Sequence, residues 1–341
     1  MPSERLKETK RQIEHDREWY DLKHILGYDW AWFYILTGAR CTGKSYSVMD
    51  YCCSQNAKHG TVFYWMRLNE ASTRKMLQNN AAQFVDPDLV RKYKLDLKVK
   101  GDVIYNHGKE FAHVLALSTA ANSKGSALFD KDYKGNRICV LDEFQLEKDQ
   151  KRCFDICYNL VVQLENIFRM TKAKNKVFMI ANATEEISDI LSMFNFVPEG
   201  FGIFKLHKKR CVIENMKPSQ KYLKNRKGSI GDILAGTTSN YTNIIRTDST
   251  LVYKGRLHTP QYVIKFSKDP SEWFTVWDGS VVAAYNKEKK PALAMRRYID
   301  NVFSPDVRDQ IFAQYDARAF KFKDLITQKR FGYELSLIKK N

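Results

Sequence analysis

The chain has 341 residues, 44% of them hydrophobic and 13% aromatic, which supports one large or two smaller packed domains and excludes wholesale disorder. Lysine and arginine (56) exceed aspartate and glutamate (39), a surplus of 17 charges that favours a polyanionic partner. The longest apolar run, "WAWFYIL", is far too short to span a bilayer, and the first residues are charged with no apolar secretory segment.

The seven cysteines include no C-x-x-C pair, so reduced intracellular thiols are expected. Residues 3–24 are expected to form a charged helix, with Leu6, Ile13 and Tyr20 at heptad spacing. "WAWFYILT" is apolar at consecutive positions and predicts a buried strand. "GARCTGKS" (38–45) follows it, then a helix through about Asn56. "TVFYWMR" (61–67) is a second strand, 70–84 a second helix, and 97–106 a hairpin leading into a third buried run, "FAHVLAL". "RICVLDE" (137–143) is a strand ending in two acids; a helix over about 150–168 and a strand "KVFMIANA" close the series. This alternation predicts an α/β fold, a parallel sheet covered by helices on both faces.

After Pro198 the composition changes. Cations crowd residues 205–227, including Lys221, Lys224, Arg226 and Lys227, against the single acid Glu214. "KGSIGDILAGTTSNYT" has the glycine and small polar residues of a linker. From about residue 250, "QYVIKFS", "WFTVWD" and "VVAAYN" read as strands in quick succession, with helical patterns from Leu293 onward. The expected division is 1–217, a linker over 218–246, and a small α+β domain over 247–341.

The chemistry gathers at strand ends. Gly38, Ala39, Arg40, Cys41, Thr42, Gly43, Lys44 and Ser45 spell G-x-x-x-x-G-K-S between a buried strand and a helix, the context a phosphate-binding loop needs. Gly38 and Gly43 are expected to let the backbone curl so that successive amides face phosphate oxygens, with the helix N-terminus adding a favourable dipole. Lys44 is expected on the β and γ phosphates and the Ser45 hydroxyl on Mg²⁺. Asp142 suits a second Mg²⁺ contact, and Glu143 suits polarising an attacking water; adjacent acids at a strand end also cap helices. Asn182, where a strand gives way to a loop, can bond a γ-phosphate or the lytic water, or simply start a turn. Arg67, ending "FYWMR", could grip Glu143 in a resting state, or simply be a surface arginine. Arg169 ends a helix, where an arginine also offsets the helix dipole.

With "GARCTGKSY", "VLDEFQLEKD", "IFR", "IANA", "FNFVPEG" and "IGDILAGT" in this order, the chain resembles the genome-packaging motor ATPases of small short-tailed phages, the phi-twenty-nine-like group. The resemblance covers most of the first half and the linker. It implies an additional-strand P-loop ATPase domain, a helical linker and a C-terminal domain of RNase H-like fold that has lost nuclease chemistry. It further implies ATP and Mg²⁺ as cofactors, and pentameric rings that dock on the capsid portal and pump double-stranded DNA inward, in the host cytoplasm and on the procapsid. Arg169 falls on the family's trans-acting arginine finger, Arg67 on the arginine that holds the catalytic glutamate, and Lys124 on a basic residue near the subunit boundary. The chain departs from the family at Glu70, where a basic residue is usual. Some relatives use a scaffold RNA, which this sequence does not reveal.

The expectation is therefore a ring-forming, ATP-driven translocase of double-stranded DNA with no membrane partner. A helicase or transport ATPase of the same fold, and a terminase that also cuts, are the alternatives. The predicted strands "QYVIKFS", "WFTVW" and "VVAAY" hold no acid, and Asp278 stands just outside one of them. Cutting is therefore not expected, and Lys265, Lys287, Lys289 and Lys290 suit phosphate or scaffold contact instead.

Overall fold

The computed structural model describes residues 19–123, 136–145, 154–168, 175–182, 188–198, 200–233, 251–266, 272–286, 298–299 and 305–338. Most of the helix expected over 3–24 lies outside these. Its described end, residues 19–22, is irregular, and the chain becomes helical only at α1 (Lys23–Leu26). The cause is local. The Tyr20 amide donates to the Thr42 carbonyl at 2.8 Å, so this backbone pairs with the glycine loop and not with its own segment.

Nine strands form the main sheet: β1 (Phe33–Gly38), β2 (Phe63–Arg67), β3 (Leu97–Lys100), β4 (Val103–Asn106), β5 (Lys109–Ala116), β6 (Ile138–Asp142), β7 (Lys176–Asn182), β8 (Gly202–Leu206) and β9 (Cys211–Asn215). Their spatial order is β3-β4-β5-β2-β6-β7-β1-β9-β8. From β5 to β9 every neighbouring pair is parallel, as the apolar runs led one to expect. The hairpin β3–β4 and the strand β8 add antiparallel edges, so the sheet is mixed. The pair β8–β9 is hidden in the sequence by its cations, yet β9 is buried at every position.

Helices alternate with these strands: α2 (Lys44–His59), α3 (Glu70–Ala81), α4 (Pro87–Tyr93), α5 (Ile156–Phe168), α6 (Asp189–Met193), α7 (Gln220–Arg226) and α8 (Ile230–Ile233). Asn69 caps α3 by accepting the Ser72 amide, and Asp86 caps α4 with Pro87 behind it. The helix expected to reach residue 84 stops early because Asn79 and Asn80 turn left-handed, at φ of 51° and 55°. Asparagine tolerates that region better than most residues. Beneath α2, the buried rings of Phe63, Trp65, Phe84 and Phe111 pack with Val48, Met49, Cys52 and Cys53. Burying each such ring stabilises by roughly 2 kcal/mol, enough to hold the central strands in register.

The contacts divide the chain into two compact units, with the main division between Arg246 and Thr247. In the second unit β10 (Pro260–Ile264), β11 (Glu272–Trp277) and β12 (Val281–Asn286) form an antiparallel meander. The edges are β13 (Tyr298–Ile299), parallel to β10, and β14 (Lys321–Phe322), parallel to β12. Two helices complete it, α9 (Pro305–Asp316) and α10 (Leu325–Ile338), and its core centres on Phe331.

Candidate functional site

Parallel register brings the strand ends together. Gly38 stands opposite Asn182, Thr37 opposite Asn215, and Asp142 opposite Ile180. Ligand sites of open α/β sheets lie at this carboxyl edge. The loop after β1 curls at Cys41 (φ 59°) and Gly43 (φ 87°). Gly38 differs from expectation: it does not adopt positive φ. A side-chain carbon there would lie 3.0 Å from Met216 Cβ, so glycine is required by the close approach of the chain beyond β9.

Lys44 opens α2 and is only 4% exposed. Its Nζ donates to the carbonyls of Ala39 (2.6 Å) and Gly38 (3.3 Å), to Thr42 Oγ1 (3.3 Å) and to Asn182 Oδ1 (3.5 Å). Burial lowers its pKa to about 8, with the negative charge of Asp142 partly opposing the shift. All four of its partners are neutral oxygens. A cation so placed gains more from an arriving anion than one already paired.

Ser45 Oγ donates to Asp142 Oδ1 at 3.0 Å. Burial pushes the Asp142 carboxyl above the usual range, chiefly opposed by Arg67, whose Nη2 lies 2.8 Å from Asp142 Oδ2. The other arm of the same guanidinium, Nη1, donates to Glu143 Oε2, so one arginine bridges both acids. Glu143 sits just past β6 at φ 56°, a left-handed conformation that costs about 1 kcal/mol or more for a residue with a side chain. Its side chain is 59% exposed, against 3% for Asp142. One acid is thus buried and the other presented to solvent. A half-buried hydroxyl and a buried carboxylate in contact are hard oxygen donors, which is the chemistry Mg²⁺ selects, and they fit that ion.

Arg169 and Lys124 lie outside the described residues. Lys221, Lys224 and Lys227 are exposed, and the Arg226 guanidinium lies 5.6 Å from the Tyr222 ring centre. Among the described residues no helix is long and apolar enough to cross a membrane.

The sequence model of the podovirus DNA encapsidation protein (Gp16) family matches residues 15–340. The chain belongs to this family. It is a DNA-packaging motor ATPase of the phi-twenty-nine kind. Among solved structures, the Phi-28 gp11 DNA packaging motor shares the fold at 14% identity and a TM-score of 0.70, over 93% of this chain and 98% of that one. The bacteriophage Phi-29 viral genome packaging motor assembly does so at 19% identity and 0.62, over 94% and 98%. No curated protein matches the sequence.

Family membership leaves the supports of the site to the structure. Tyr222 on α7 is buried and its hydroxyl donates to the Arg40 carbonyl at 2.6 Å, tying the basic helix to the loop across 182 positions. Tyr20 donates to buried Glu214 at 2.6 Å, and burial followed by that carboxylate raises the tyrosine pKa well above its ordinary value. Thr37 Oγ1 donates to Asn215 Oδ1 at 3.0 Å. No local sequence pattern marks these residues, since each pairs with a partner far along the chain.

Proposed function

We propose that this chain hydrolyses ATP at the loop 38–45 and uses the energy to drive double-stranded DNA into a procapsid, as one subunit of a pentameric ring docked on the portal. The observation that carries the reading is the connected set Lys44–Asn182 and Ser45–Asp142–Arg67–Glu143 at one sheet edge. The packaging-motor relatives of the same fold support the partner assignment.

The loop amides and Lys44 bind the β and γ phosphates and orient the terminal one. Ser45 and Asp142 would hold Mg²⁺, which when bound would offset phosphate charge. Glu143 positions the lytic water once it leaves Arg67, so the guanidinium that now joins both acids keeps the resting site idle. Asn182, already against Lys44, senses the γ-phosphate. The second unit is read as a vestigial RNase H-like domain, supported by its antiparallel meander with parallel edge strands. Asp278 is committed to a turn: it accepts the amides of His258 and Thr259 at 3.1 and 2.8 Å, and these bonds hold its pKa below the ordinary value. Such a carboxylate is poorly placed to bind a nuclease metal, so the unit is read as contacting nucleic acid or portal without cutting.

ATPase activity of the full chain, with and without double-stranded DNA and empty procapsids, tests this. Glu143→Gln is expected to bind ATP while losing about 10²- to 10⁴-fold in turnover, the usual contribution of general acid–base groups. Near wild-type turnover in that variant would remove Glu143 from its role.

A further inference from the structure

Trp19 leaves 58% of its surface in solvent, although it stands directly against the phosphate loop. A side-chain carbon built on Gly43 would lie 3.5 Å from the indole Cε3. Two hydrogen bonds to the Tyr20 backbone fix this position. The Tyr20 amide donates to the Thr42 carbonyl at 2.8 Å, and Ser47 Oγ donates to the Tyr20 carbonyl at 2.6 Å, so the turn is held from both sides of Gly43.

From the indole a cavity of about 1280 Å³ opens along α2, lined by Tyr46, Ser47, Asp50 and Tyr51 and bounded beyond by Tyr93. Positions 43, 46, 47, 50 and 51 recur at the spacing of one helix stripe. The Lys44 and Ser45 side chains point elsewhere, toward Asn182 and Asp142. A triphosphate whose terminal group lies by Lys44 and Asp142 therefore has its other end leaving the loop past Gly43 and Tyr46. Tyr46 is itself 41% exposed, which leaves two aromatic surfaces open where that end emerges.

We propose that Trp19 and the Tyr46–Asp50 stripe of α2 hold the purine base and ribose of the nucleotide, with the base stacked on the indole. This rests on the reading of the loop as a nucleoside triphosphate site. The cavity is far larger than a nucleoside, so the base is recognised by stacking on an open face and not by enclosure. Asp50 on its wall already accepts from Lys92 Nζ at 2.6 Å and from the Tyr93 hydroxyl at 2.8 Å, and Asp86 caps α4, so recognition rests on the indole face.

Calorimetric titration of the full chain with Mg-ATP and with Mg-tripolyphosphate separates base from phosphate recognition. Trp19→Ala is expected to weaken Mg-ATP binding about tenfold, the loss that removing one base–aromatic stack brings, and to leave tripolyphosphate binding unchanged. Trp19→Phe, which keeps an aromatic face, should recover most of the loss. Equal weakening of both ligands would make Trp19 a prop for the loop and overturn the proposal, as would unchanged Mg-ATP binding. A wild-type chain that binds neither ligand would instead overturn the reading of the loop itself, and the base site with it.

Discussion

Among the described residues, the buried charged side chains of the larger unit are Lys44, Arg137, Asp142 and Glu214, and the buried polar groups of the smaller are the hydroxyls of Thr275 and Thr327. Taking an ion out of water costs several kcal/mol unless partners compensate. Each of these ions has them: Arg137 donates to the Ile167 carbonyl at 2.6 Å, Glu214 accepts from Tyr20, Lys44 donates to the Ala39 carbonyl at 2.6 Å, and Asp142 pairs with Arg67 at 2.8 Å. The smaller unit stabilises itself with rings. Phe331 lies between 5.1 and 5.6 Å from Phe266, Phe274, Phe320 and Phe322, centre to centre. Among its described residues no charged side chain is buried; Lys265 lies over the Trp273 ring and Asp278 closes a turn. In the larger unit two of the desolvated charges, Lys44 and Asp142, lie at the candidate site, whereas the described core of the smaller unit is aromatic.

The largest expected effect extends that contrast to a neighbouring subunit. The end of α5 is beside Arg137, just before β6, whereas Asp142 ends that strand five residues on, about 16 Å away at ~3.3 Å per residue. Arg169 follows α5 in the sequence, and we propose that it acts on a neighbour's nucleotide and not on its own. Arg169→Ala should lose about 10³- to 10⁵-fold in turnover, the usual worth of an arginine finger. Mixing it with Lys44→Ala subunits should restore part of the activity, because some interfaces then pair an intact loop with an intact finger. Full activity of Arg169→Ala alone, or no recovery in rings shown to be mixed, would leave Arg169 as a helix-end charge.

Next in size is the aromatic core of the smaller unit. Phe331→Ala should cost about 3–5 kcal/mol through the cavity it leaves, read as a lowered calorimetric transition. Mg-ATP affinity should hold, since no site residue is built on these rings. A parallel loss of nucleotide binding would erase the distinction drawn between the units.

Much of the site was legible beforehand, and for a physical reason. In a parallel sheet, strand ends are neighbours by construction, so short motifs at the ends of β1, β2, β6 and β7 predict their own meeting. Arg67 was expected on Glu143, and the structure has it bridging Asp142 as well. Illegible were the contacts that cross the chain: Tyr222 on Arg40, Trp19 on Gly43 and Tyr20 on Glu214. The strand pair β8–β9 was obscured by the consecutive cations Lys208, Lys209 and Arg210, which sit in the turn between the strands. Glu214 shows how such a strand keeps an acid inside: a tyrosine hydroxyl brought in from another segment meets it.

The smallest effect concerns the proton on Lys44. Burial holds its pKa near about 8, against an ordinary 10.5, and a bound phosphate favours the charged form and raises it again. Below about pH 8 the amine is charged both free and bound, so affinity should be flat. Above it, binding must take up a proton, and Mg-ATP affinity should fall by up to about tenfold per pH unit until the bound-state pKa is reached. Folding runs the other way. Between about 8 and 10.5 the unfolded chain binds more protons at this lysine than the folded one, so its contribution to stability rises with pH while ligand affinity falls. Titration at about pH 9 in buffers of different ionisation enthalpy should register close to one proton taken up per nucleotide, and Lys44→Met should register none. Affinity that stays flat through this window would mean that the loop carbonyls keep Nζ charged without a phosphate. The buried charge of the larger unit would then be permanent, and not one completed by its ligand.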